Sequence, residues 1–134
     1  MTPDFTGEWQ ADLKLSKLLG PAPRSVSARI EHAEPNLKAE MRITRMDGTV
    51  SRLTFRAVTT GREVSNELQG ATMRSQARWV GEELEIESWM TVAGREAHFR
   101  DYWSLRGPML VMEHRNDDLA GQFTFLERAA SSHT

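Results

Sequence analysis

Seven glycines, Gly48, Gly61, Gly70, Gly81, Gly94, Gly107 and Gly121, divide most of the chain into short runs of similar length. Within the runs apolar and polar residues alternate with period two, the spacing at which side chains of an extended strand share a face. No segment carries the 3.6-residue apolar period of a long amphipathic helix. The pattern predicts a β-meander of about ten strands joined by tight turns, and such a meander in a small chain tends to close on itself.

The first strand is expected over about Thr6 to Leu13, with Trp9, Ala11 and Leu13 on one face. Leu15, Leu18 and Leu19 then allow one short helical turn before Gly20-Pro21-Ala22-Pro23 ends it. Ser25 to Ala33 turns Val26, Ala28, Ile30 and His32 inward, and Glu34-Pro35-Asn36 makes a turn. Leu37 to Ile43 is joined to its return strand by Asp47-Gly48, the strongest hairpin signal in the chain. Glu63 to Leu68 is short and weakly patterned. Ala71 to Val80, Leu84 to Val92, Ala97 to Leu105, Leu110 to Arg115 and Leu119 to Arg128 complete the meander, with Ala97 counted among the inward residues. Ala129 to Thr134 is small and polar and is expected to fray.

With 134 residues, one domain over 1–134 is expected. A net charge of −2 gives no whole-chain signature of a nucleic-acid binder. The absence of cysteine excludes disulfides and thiolate metal sites. No apolar run reaches the ~18 residues of a membrane span. Met1-Thr2-Pro3-Asp4 does not read as a secretory signal, so a cytoplasmic protein is expected, or a periplasmic or secreted one if a signal was trimmed.

Three stretches carry a resemblance. Phe5-x-Gly7-x-Trp9 is similar to the opening strand of the calycins, the lipocalins and fatty-acid-binding proteins. The ten-strand pattern with a leucine-rich segment after the first strand looks more like the fatty-acid-binding branch. Asp101-Tyr102-Trp103-Ser104-Leu105 with Arg106-Gly107-Pro108-Met109-Leu110 resembles a late strand pair of small bacterial lipocalin-like domains. The resemblance implies an all-β, single up-and-down barrel with an internal cavity, and an Arg128 packed on Trp9. One family feature is missing: the last strand, Gln122-Phe123-Thr124-Phe125-Leu126-Glu127-Arg128, lacks the Arg-x-Tyr carboxylate clamp.

Candidate ligand-binding residues are those the alternation turns inward: Met41, Phe55, Met73, Ser75, Ser88, Met90, Phe99, Asp101, Met112 and His114. Methionine adapts to irregular ligands, and a few polar groups in an apolar pocket fix orientation. The competing reading is a filled core, because a barrel of about eight to ten strands can be either. An inward Asp101 needs a partner, such as a bound amine or an inward arginine. Arg29, Lys38, Arg42, Arg52 and Arg56 should project outward, as a solvated face paired with glutamates such as Glu31, Glu40, Glu85 and Glu87. Four histidines without ligand spacing argue against a metal, and no cofactor, phosphate-loop or nucleophile motif is present.

The preferred reading is non-catalytic binding of a small hydrophobic or amphipathic molecule, with no nucleic-acid partner and no membrane insertion. The alternative is a homodimeric interaction module using the outward Trp89 and Tyr102. An enzyme working through Asp101 and a histidine is a third.

Overall fold

The structure, a computed structural model, describes residues 3–16, 23–68, 70–116 and 119–128. It contains ten antiparallel strands: β1 (Gly7–Ala11), β2 (Ser25–Ala33), β3 (Asn36–Thr44), β4 (Val50–Val58), β5 (Val64–Leu68), β6 (Ala71–Val80), β7 (Glu83–Val92), β8 (Arg95–Arg106), β9 (Met109–Asn116) and β10 (Leu119–Arg128). They form one sheet in the order β4-β3-β2-β1-β10-β9-β8-β7-β6-β5. Each strand pairs with its chain neighbour except across β4/β5, and β1 closes against β10 with Trp9 opposite Arg128. The result is a nearly closed barrel.

No helix occurs among the described residues, which corrects the expected helical segment after β1. Residues 13–15 form a turn, tied by the Ser16 amide donating to the Asp12 carbonyl at 3.0 Å. The Asp12 carboxylate takes the Lys14 and Leu15 amides, as a residue capping the start of a helical turn does, and the described stretch ends at Ser16, one turn on. Leu18 and Leu19 lie outside the described residues, as does the C-terminal stretch expected to fray.

The seam between β4 and β5 has no backbone ladder. The Asn66 side chain replaces one: its Oδ1 accepts the Arg56 amide at 2.8 Å, and its Nδ2 donates to the Arg56 carbonyl at 2.9 Å. A carboxamide presents the same donor and acceptor as a peptide group, so Asn66, buried on β5, pairs with β4 as a strand residue would.

Interior packing differs between the two ends. At the end where the chain enters, Phe5, Trp9, Leu84, Leu110 and Leu126 are fully buried, with Trp103 close to it. Phe5 stacks on His32 (centroids 5.5 Å) and Trp79 (5.8 Å) and meets Trp103 edge-on (5.9 Å), an arrangement that offset and T-shaped aromatic pairs favour. Toward the end carrying the 45–49 and 93–94 turns, Met41, Leu53, Phe55, Met90, Phe99 and Met112 are only half-buried. Ala97, expected inside, is exposed, because at this end the inward direction no longer leads to packed neighbours. The barrel is thus filled at one end and open at the other.

The closed end also explains the Phe5-x-Gly7-x-Trp9 motif. The Arg128 guanidinium lies over the Trp9 ring, 4.3 Å from its centroid, and Nη1 donates to the Thr6 carbonyl at 3.0 Å. Trp9 Nε1 donates to the Phe5 carbonyl at 2.9 Å. Gly7 has φ of 147°, and a Cβ there would fall inside the envelope of Arg128 Nη1. Only glycine supplies both the backbone angle and the space.

Candidate functional site

The open half of the barrel encloses a cavity of about 360 Å³. This lies within the size range of small-molecule pockets, roughly 300–1,000 Å³. Seven of the ten expected residues line it: Met41, Phe55, Met73, Ser88, Asp101, Met112 and His114. They come from β3, β4, β6, β7, β8 and β9, so almost the whole wall contributes. Of the other three, Ser75 pairs with Ser88, Oγ to Oγ at 2.8 Å. Phe99 tilts against the His114 ring at 5.1 Å. Met90 stands opposite Ala97 in the β7/β8 register, outside the cavity lining. Ala39, Leu53, Leu68, Ile86, Trp103 and Thr124 also line the cavity. Ala39, Leu53, Ile86 and Trp103 were readable as inward residues from the alternation; Leu68 and Thr124 were not.

Two ionisable side chains line the cavity, and they face each other. Asp101 on β8 and His114 on β9 are directly opposite in register, and Asp101 Oδ1 lies 2.9 Å from His114 Nδ1. The partner of the inward carboxylate is therefore a histidine rather than an inward arginine. The hydrogen bond to Asp101 holds the His114 pKa above the ordinary imidazole value, against an opposing effect of burial. Both side chains are partly accessible, at 25% for Asp101 and 33% for His114, so the pair is open to the cavity contents.

A second polar cluster belongs to the closed end. His32 Nδ1 accepts the Phe5 amide at 3.1 Å, which places the proton on Nε2, facing Glu34 Oε2 at 2.9 Å. Thr59 donates to the same oxygen at 2.8 Å, and Trp79 Nε1 donates to Oε1. Burial pushes the Glu34 carboxyl up, but these hydrogen bonds outweigh it and hold the pKa below the usual carboxylate range. With its ring nitrogens occupied and its ring stacked against both Phe5 and Trp79, His32 latches the plug and does not line the cavity.

The outer face departs from expectation on one side. Arg78 pairs with Glu85 and Arg100 with Glu87. Arg29, Arg42, Arg52 and Arg56 have no ion pair among the described residues. Arg42 stands opposite Arg52, and Lys38 opposite Arg56, so like charges face each other across β3 and β4. Surface depressions of about 390 and 570 Å³ adjoin this face, lined by charged residues such as Arg29, Arg42, Arg52 and Arg56 together with apolar ones such as Met41, Leu53, Leu37 and Val58. Trp89 is stacked by His98 at 5.4 Å and overlain by Arg74 at 5.8 Å, and Arg115 sits 4.9 Å from the Tyr102 ring.

Among the described residues no group of three His, Cys, Asp or Glu could hold a metal ion, and no helix is long and apolar enough to cross a membrane. No family model matches the sequence, and no curated protein matches it. Solved structures do match in fold. Fluorescent protein UnaG, as its N57A mutant, aligns with a TM-score of 0.65 at 16% identity over 95% of this chain and 97% of that one. Human cRBP IV aligns at 0.64 and 14%, over 96% and 100%. A fatty-acid-binding protein of Echinococcus granulosus aligns at 0.62 and 9%, over 94% and 98%. With both chains covered nearly end to end, the fold is a calycin-type barrel like those of the fatty-acid-binding proteins.

Proposed function

We propose that the chain binds a small hydrophobic or amphipathic molecule, without catalysis, in the open half of its barrel. The observation that carries this reading is the cavity itself: apolar walls drawn from six strands around a single ionisable pair. A pocket with few polar groups recovers the burial of a mostly apolar ligand, at about 25 cal/mol per Å², while the polar pair sets its orientation. Among the similar folds are proteins named as a fatty acid transporter and a fatty-acid-binding protein, in keeping with an interior used for binding. The homodimer alternative draws less support, since Trp89 and Tyr102 are already covered by side chains of their own chain.

Native mass spectrometry of the purified protein, followed by denaturing extraction, tests the reading. We expect a co-purifying molecule at one equivalent per chain, or uptake of a neutral fluorescent lipid probe at that stoichiometry. A bare spectrum with no uptake of the probe would refute it.

A further inference from the structure

We infer that His32 is an acid-operated latch: a second proton on its ring, taken at Nδ1, withdraws Phe5 from the plugged end and uncovers the floor of the cavity. That this loosens a bound ligand rests on the binding function proposed above; the movement of the plug does not.

The ring has one place left for a proton. Nε2–H already faces the Glu34 carboxylate at 2.9 Å, so a charged ring carries its new proton at Nδ1. There stands the Phe5 amide, itself a donor, at 3.1 Å. An imidazolium has no lone pair to offer it. Phe5 is 0% exposed, so its amide reaches water only by leaving, and a buried amide without a partner is costly.

An acceptor for the new proton is already close. Asp4 Oδ1 lies 3.7 Å from Nδ1, outside hydrogen-bond reach while the Phe5 amide is in place. Hydrogen bonds from Thr6, with His32 and Arg128 nearby, hold the Asp4 pKa below the ordinary carboxylate value, and the Glu34 pKa is also low. Both carboxylates therefore stay ionised where a histidine titrates. The other side chains around the ring carry no charge: Phe5 and Trp79 stack on it, Thr59 shares Glu34 Oε2, and Leu37 stands opposite on β3. Glu31, Lys38 and Arg56 point outward and line the surface depression beside it. Charging the ring thus exchanges one N-terminal partner for the other, the Asp4 carboxylate in and the Phe5 amide out.

The exchange moves the Phe5 ring as well as its amide. Thr6 Oγ1 donates to the His32 carbonyl and accepts from the His32 amide, both at 3.0 Å, and neither bond titrates. The movement is therefore confined to the residues before Thr6. The Phe5 ring meets Trp103 edge-on, and Trp103 lines the cavity, so the indole is the floor between cavity and plug. Once Phe5 withdraws, water reaches the underside of that floor.

Solution NMR between about pH 8 and 5 tests this. At the alkaline end we expect the His32 ring as the Nε2–H tautomer, with nuclear Overhauser contacts from the Phe5 ring to Trp79 and Trp103. As the ring takes its second proton those contacts should be lost and the Trp103 indole signal should shift, in one step with the His32 midpoint. Preloaded Nile red should dissociate several-fold faster across the same step. His32→Asn keeps an acceptor near the position of Nδ1 that takes no proton; it should hold both the contacts and the Nile red off-rate constant while His98 and His114 still titrate. Asp4→Asn, which can still accept the Thr6 amide, should delay the loss of the Phe5 contacts to lower pH. An Nδ1–H tautomer at pH 8, a His32 ring that stays neutral down to pH 5, or Phe5 contacts that persist on the charged ring would overturn the inference, as would a Nile red off-rate that ignores the step. If Nile red is never taken up, the binding function falls, and the Phe5 contacts in the wild-type protein still decide the latch.

Discussion

Replacing Gly7 by alanine places a methyl group where the Arg128 guanidinium now lies. Two costs follow. A non-glycine residue at φ of 147° is strained by about 1–3 kcal/mol. The displaced guanidinium also gives up its stack on Trp9, about 0.5–1 kcal/mol at a solvent-exposed site, and its hydrogen bond to the Thr6 carbonyl, about 1 kcal/mol. Gly7→Ala should therefore destabilise by about 2.5–5 kcal/mol, and Arg128→Ala by about 1.5–2 kcal/mol. In the double variant the methyl group meets open space and the arginine contribution is lost only once. The double cost should fall short of the sum by about 1–2 kcal/mol, a coupling that equilibrium urea unfolding of the four proteins resolves. A Gly7→Ala cost below about 0.5 kcal/mol, or additivity within about 0.3 kcal/mol, would refute the claim that Gly7 exists to seat Arg128.

Trp9→Ala, at a position only 1% exposed, should cost about 3–5 kcal/mol in the same assay. Asn66→Ala removes both hydrogen bonds across the β4/β5 seam; it should cost about 1–3 kcal/mol and raise the exchange rate of the Arg56 amide selectively, read by hydrogen-exchange NMR. The Glu34 pKa is lower folded than unfolded, so its contribution to stability is present above the unfolded value of 4.5 and is lost as pH falls through the folded one. Urea midpoints measured between about pH 6 and 3 should thus fall less steeply in Glu34→Gln than in the wild type. The His114 pKa is raised by Asp101, so that pair stabilises the fold fully below the unfolded value of 6.5 and less as pH climbs through the folded one; Asp101→Asn should flatten the alkaline side of the profile.

What could be read from the sequence follows the range of the determinants. β2, β6 and β10 begin and end where the alternation and the turn residues place them, because both signals are local. Arg128 on Trp9 was anticipated through the family resemblance, whereas the reason for Gly7 required the guanidinium in place. Asp101 and His114 were both legible as inward residues, but their pairing depends on the β8/β9 register across a turn, which alternation alone does not fix. The exposure of Ala97 and the plugging of the other end by Phe5 depend on how the rims close, a property of the assembled barrel. The two-way hydrogen bonding of the Asn66 carboxamide with the Arg56 peptide groups spans the β4/β5 gap in the ladder, and nothing in the local pattern of β5 marks it.

That gap gives the barrel a hinge line. Nine strand-to-strand junctions rest on runs of backbone hydrogen bonds, and the tenth rests on one carboxamide supported by the packing around it. Parting it forfeits those two hydrogen bonds, about 1–3 kcal/mol, and the packing that supports them, where parting any other junction forfeits a whole run of backbone hydrogen bonds. The wall is in this sense a rolled strip fastened by a single clasp. The β4/β5 edge is therefore where the lumen would widen at the least cost in backbone hydrogen bonds.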